Sequence, residues 1–145
     1  MSSLNGRILA IDHGTVRMGI AVSDELGMMA HPVGFIPAEP IEDFFTRLAS
    51  VIAEKQPVLI VVGMPRNMNG TYGPAAEKVR AFVGELGKRV TIPIKLVDER
   101  LSSTQANRSL SASGVKGKKK RESVDAAAAA IILQSYLDSP MNQGL

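Results

Sequence analysis

Arg7-Ile-Leu-Ala-Ile-Asp-His-Gly-Thr-Val-Arg-Met-Gly-Ile-Ala-Val-Ser-Asp24 decides the fold, because an apolar run ends in a carboxylate and the chain at once turns back. Ile8 to Ile11 is continuously apolar, which suits a strand covered on both faces. His13-Gly-Thr15 carries the glycine a tight reversal needs, and Met18 to Val22 returns as an antiparallel partner. Gly14 is expected to hold a positive φ or to let a substrate approach closely. Asp12 thus stands at the tip of a central strand, where groups from neighbouring elements can converge on a metal ion or a phosphate. The same carboxylate also fits a plain turn cap.

Outward from this hairpin, Met28 to Pro37 predicts a third strand, confined to an edge by its prolines. Ile41, Phe44, Phe45, Leu48, Val51 and Ile52 recur at helical steps between charged residues, so an amphipathic helix ends before Pro57. Val58 to Val62 reads as a buried parallel strand reached by that helical crossover. Met64 to Gly73 is loop by its Pro, Asn and Gly content, and Pro74 opens a helix with the stripe Val79, Phe82, Val83 and Leu86. Thr91 to Val97 predicts a last strand that delivers Asp98, Glu99 and Arg100. The spacing of Ser102 and Gln105 predicts a capped short helix fading by Ser111 to Gly114. From Ser123 the alanine-rich run into Ile131, Leu133 and Leu137 predicts a helix with a small-residue face. The expected fold class is α/β: a mixed five-stranded sheet, its first three strands antiparallel and the later ones parallel, flanked by helices. Residues 1–138 read as one domain and 139–145 as a flexible tail.

A chain of 145 residues with no cysteine can bury a core without disulfides or thiolate-bound metal. The start of the sequence lacks a signal-peptide pattern, and no apolar run nears the roughly 20 residues that span a bilayer, so the expectation is a cytoplasmic protein with no membrane partner. The net charge is +3, yet Lys116, Lys118, Lys119, Lys120 and Arg121 account for it, and the rest of the chain is net negative. That basic run is expected to be a solvated loop.

Asp12, Asp98 or Glu99, and Asp125 fall at the ends of the first and last strands and in the expected first turn of the last helix. Three acids at one sheet edge repel one another unless a cation neutralises them, and hard oxygen donors suit Mg²⁺ or Mn²⁺. Singly, each has a plainer reading: Asp125 as a partner of the helix macrodipole, Asp98-Glu-Arg100 as a solvated strand end with a local ion pair. Alternation pairs Asp98 with Ile94 and Leu96, and Glu99 with Lys95 and Val97. Both sets hold apolar residues, so parity alone does not choose between the acids.

Four segments in order, Ala10 to Asp24, Val61 to Pro74, Val97 to Ala106 and Asp125 to Leu137, resemble the YqgF family over nearly the whole chain. Ser102 and Ser103 stand where that family often has two threonines. The resemblance implies a ribonuclease-H-like fold and a divalent-metal nuclease acting on Holliday junctions or on the 5′ end of pre-16S ribosomal RNA. It further implies Asp12, Glu99 and Asp125 as the catalytic, metal-binding acids. Lys116, Lys118, Lys119, Lys120 and Arg121, with Arg17 and Arg66, are the expected nucleic-acid contacts. The expected partners are pre-ribosomal RNA or branched DNA and ribosomal particles, for a monomer or weak homodimer. Two other classes stay open: a non-catalytic RNA-binding assembly factor on the same fold, and an actin-like phosphate-binding domain. Few aromatics are free for base stacking, so any binding would depend on phosphates and shape.

Overall fold

Leu9 and Ile11 pack into one helical layer and Ile8 and Ala10 into the other, so β1 (Ile8–Asp12) is a central strand covered on both faces. The computed structural model describes residues 6–65, 73–98 and 117–138, with 98 and 117–126 described by backbone alone. β2 (Arg17–Ser23) returns antiparallel to β1, pairing Leu9 with Val22 and Asp12 with Gly19. β3 (Ala30–Pro37) lies antiparallel on the outer side of β2, with a register irregularity beside Ile20 and Ala21. Pro32, Pro37 and that irregularity are tolerated because β3 is an edge strand, as its composition predicts.

α1 (Ile41–Lys55) carries the chain across to β4 (Leu59–Met64), which runs parallel to β1. Gln56 closes the helix in left-handed backbone, its N–H donating to the Ile52 carbonyl at 2.7 Å before Pro57 bars further helix. α2 (Pro74–Arg89) opens with proline at its first position and crosses to β5 (Ile94–Asp98), parallel to β4. The strand order is β3-β2-β1-β4-β5, the mixed five-stranded sheet that the sequence predicts.

The two faces are packed differently. Beneath α1 and α2, the side chains are large: Phe44, Phe45, Leu48, Phe82 and Leu86 meet Leu9, Ile11, Ile60 and Val62. Phe82 is the hub, with its ring 5.6 Å from that of Phe44 and 5.9 Å from that of Phe45. On the other face lies α3 (Gly117–Leu137), where Ala129 and Leu133 meet Ile8, Ala10, Ala21 and Val61. Alanine opposing alanine lets this helix lie close on the sheet. The Gln134 carboxamide fixes it there, accepting from the Ala30 N–H at 2.9 Å and donating to the Met28 carbonyl at 3.0 Å.

Three expectations change. α3 begins at Gly117 rather than Ser123, so Lys118, Lys119, Lys120 and Arg121 are its opening turns and not a loop. Lys, Arg and Glu are good helix formers, and with no proline between Gly117 and Leu137 the helix extends without an apolar stripe to signal it. Asp125 therefore sits in the interior of the helix, and no acid occupies the first turn, so the macrodipole reading does not hold. Met64 ends β4 as a buried residue instead of starting the loop. The short helix expected from Ser102, the loop over 66–72 and the tail over 139–145 lie outside the described residues. Among the described residues no helix is long and apolar enough to cross a membrane.

Candidate active site at the end of the central strand

Asp12 is the last residue of β1 and is partly buried. It shares parity with Ile8 and Ala10, which belong to the α3 layer, so Asp12 is presented to the face that α3 covers. Continuing the β1–β4 register by one residue sets Asp12 beside Gly63, and Gly63 pairs with Val97. Val61 and Val97 both pack in the α3 layer, which puts the whole row Asp12, Gly63, Val97 on that face. Gly63 brings no side chain to the row. Between Asp12 and β5, roughly 10 Å apart over two strand spacings, the sheet surface is therefore bare backbone.

α3 brings Asp125 to the same end. Gln134 holds Ala30, Ala30 pairs with Ser23, and the Ser23 hydroxyl accepts the Ile8 N–H at 2.8 Å, so Gln134 is level with the start of β1. The helix from Gln134 back to Asp125 rises roughly 13 Å, and β1 from Ile8 to Asp12 advances about as far. Ala128 and Ala129 are buried in between, with Ala129 against Ala10 and Ala21, which shows that α3 runs along this line rather than away from it. Position 125 also precedes Ala128, Ala129, Ile132, Leu133 and Tyr136 by steps of three and four, on the stripe that meets the sheet.

β5 carries Lys95 and Val97 on the α3 face, with the Lys95 ammonium 5.8 Å from the centre of the Tyr136 ring. Ile94 packs in the opposite layer. Parity, ambiguous in the sequence, is resolved by these contacts: the Lys95–Val97 set shares its face with Asp12. Glu99 itself lies outside the described residues, as do Arg66 and Lys116. Among the described residues no group of three acid, histidine or cysteine side chains forms a metal-binding cluster.

The turn after Asp12 has its own geometry. His13, next in sequence, goes to the other face and its ring centre lies 5.2 Å from that of Phe82. Gly14 does not adopt the positive φ that is one of its two expected roles; the structure requires glycine there because a Cβ would collide with the Arg17 backbone carbonyl. Arg17 stacks its guanidinium 5.3 Å over the Phe35 ring at the start of β2. Turn capping by a carboxylate is seen one turn later, where Asp24 accepts the Met28 N–H at 2.9 Å, a bond that leads the causes holding its pKa below the usual value. Burial, and secondarily the Lys78 ammonium, lower the pKa of His13 from 6.5. Lys78 was missed in the sequence because a lone lysine in an amphipathic helix carries no signal of its own.

A central strand ending in an acid, a returning hairpin, parallel strands beyond it and a small-residue helix over the acid define the ribonuclease-H-like class. The fold is shared with Thermus thermophilus RuvC in complex with a Holliday junction substrate, at TM-score 0.57 and 19% identity over 93% of this chain and 96% of that one. The Fowlpox virus resolvase shares it at TM-score 0.55 and 11% identity, covering 91% of this chain and 97% of that one. The chain belongs to the RuvX family, described as Holliday junction resolvase, which matches residues 6–139. A relative from Streptomyces coelicolor named "Putative pre-16S rRNA nuclease" is 46% identical over 140 residues, covering 96% of this chain and 84% of the relative. One of the same name from Geobacillus kaustophilus is 46% identical over 135 residues, covering 92% and 98%.

Proposed function

We propose that residues 1–138 form one cytoplasmic nuclease domain that hydrolyses phosphodiester bonds in structured nucleic acid. The observation that supports this reading is the row of Asp12, side-chain-free Gly63 and Val97 on the face covered by α3, the helix that carries Asp125. Glu99, next in sequence after β5, would complete a three-carboxylate set. Its donors are all hard oxygens, and Gly63 puts no side chain of its own beside Asp12, so the residues present fit Mg²⁺ or Mn²⁺. When bound, such an ion polarises the phosphodiester and lowers the pKa of a water.

The chain's own residues then have separate tasks. Asp12, on a strand buried on both sides, is rigidly placed; Asp125 is positioned by α3, which Gln134 locks to the sheet. Lys118, Lys119, Lys120 and Arg121, on the opening turns of α3, supply phosphate contacts next to Asp125 on the same helix, with Lys116 just before them. Arg17, at the start of β2, and Arg66 add further contacts. The relatives' name favours pre-16S ribosomal RNA as substrate; action at its 5′ end, on ribosomal particles and by a monomer or weak homodimer, belongs to the same proposal.

Incubating the purified protein with Mn²⁺ and either a labelled 16S precursor or a labelled four-way junction tests the reading. Metal-dependent cleavage of the precursor is expected. Binding without cleavage of either substrate would return the non-catalytic RNA-binding class instead.

A further inference from the structure

Consecutive residues of β1's end serve opposite faces of the sheet, Asp12 the α3 face and His13 the α2 face. On the α2 side lies a cleft of about 300 Å³ lined by His13, Gly14, Thr15, Pro65, Pro74 and Lys78, with Ala75 and Val79. A second hollow of about 410 Å³ adjoins it across Lys78 and reaches Glu39. Among the described residues no carboxylate lines the first cleft, and its side-chain polar groups, an ammonium, a hydroxyl and an imidazole, can all donate hydrogen bonds. Lys78 is set apart on its own helix. Arg80 pairs with Glu77 at 2.6 Å, Lys88 with Glu85 at 3.3 Å and Arg89 with Glu42 at 2.9 Å, while among the described residues no acid pairs with Lys78. Its charge falls instead on the half-buried His13 ring.

A cation without an ion-pair partner among the described residues, beside a hydroxyl and an imidazole, suits an anion, with Glu39 across Lys78 in the adjoining hollow as a competitor for its charge. We propose that the His13–Thr15–Lys78 cleft binds a backbone phosphate of the nucleic acid, flanking the one cleaved on the α3 face. The inference rests on the nuclease reading and deepens it. The Lys78 ammonium supplies the charge, the Thr15 hydroxyl donates a hydrogen bond, and the imidazole N–H of His13 donates another while Phe82 fixes its ring. Gly14 keeps the turn between them tight, because its Arg17 contact excludes any side chain. The strand would therefore pass round the end of β1, held on one face and cut on the other.

The test uses the full chain without divalent metal, so that a single-stranded RNA or a branched DNA binds uncut. With Lys78→Gln the slope of log affinity against log salt should fall by about 0.7 to 0.9, the share of one phosphate contact. Lys78→Arg should restore it, and Lys88→Gln, at the far end of α2, should leave it unchanged. The chain has 2 histidines, so His31 on β3 is an internal control: adding the oligonucleotide should shift the His13 ring resonances and not those of His31. With metal added, Lys78→Gln should raise KM at unchanged kcat. If the wild-type chain binds no nucleic acid, the nuclease reading falls and this inference with it. If it binds while Lys78→Gln keeps the full slope or His13 stays unmoved, the cleft alone is refuted.

Discussion

Asp12 and Val97 lie in one row across the sheet, on the face covered by α3, with Gly63 as the only residue between them. This row sets a residue without a side chain next to the acid at the end of β1, and it places Lys95 and Val97 on the face that Asp12 shares.

Close packing of α3 should matter as much as the acids it carries. Ala129 is 0% exposed and belongs to the same buried cluster as Ala10 and Ala21. Ala129→Leu forces extra volume into that contact, at a cost of about 1–3 kcal/mol, and lifts Asp125 off the sheet. Urea unfolding should show the loss, and cleavage should fall by more than the unfolded fraction explains. Wild-type stability and activity in this variant would show that the helix does not need to lie close.

Gly14→Ala should also destabilise the protein by about 1–3 kcal/mol, since the new Cβ meets backbone that cannot swing aside. The cause is steric crowding by the Arg17 carbonyl and not a left-handed conformation. A Gly14→Ala protein with an unchanged urea midpoint would contradict that account.

The His13 pKa is lowered in the folded state, chiefly by burial, so below about pH 6.5 the unfolded chain takes up more protons than the native one. Stability present above that pH should therefore drop as pH falls toward the native pKa. His13→Gln should remove this component and flatten the acid limb of the stability curve. Identical limbs in the two proteins would mean that the ring is not held neutral.

Much of this was legible in the sequence. The unbroken run Ile8 to Ile11 specifies a doubly covered strand, the prolines of β3 specify an edge, and the alanines after Asp125 specify a close-packed helix. What stayed hidden depends on tertiary contact. Ile94, Leu96, Lys95 and Val97 put apolar groups on both sides of β5, so only Tyr136 and the α3 layer reveal which side Asp12 shares. The start of α3 was hidden for a different reason: Lys118 to Arg121 are strong helix formers in a segment with no apolar period to display them. The shared cleft of His13 and Lys78 joins residues far apart in sequence and has no local signature.

That helical start changes what the basic run should do. Replacing Lys118, Lys119, Lys120 and Arg121 together by Ala should keep α3 helical, because alanine is the stronger helix former, while the dependence of log affinity on log salt flattens by several units at roughly 0.7 to 0.9 per contact. Circular dichroism and salt titrations read the two effects separately. An unchanged slope would leave these residues as a solvated helical face.

Asp98 and Glu99 are adjacent in sequence and opposite in parity, so they separate the site from its surroundings more directly than any other pair. Mn²⁺-dependent cleavage should be abolished by Glu99→Gln, as by Asp12→Asn and Asp125→Asn, with the metal-free fold as stable as the wild type or more so, because crowded carboxylates are relieved. Asp98→Asn should keep measurable cleavage and lose stability instead. Measuring cleavage for Glu99→Gln against Asp98→Asn is the decisive comparison: an inactive Glu99→Gln beside an active Asp98→Asn is the predicted result, and an active Glu99→Gln beside a folded but inactive Asp98→Asn would contradict it.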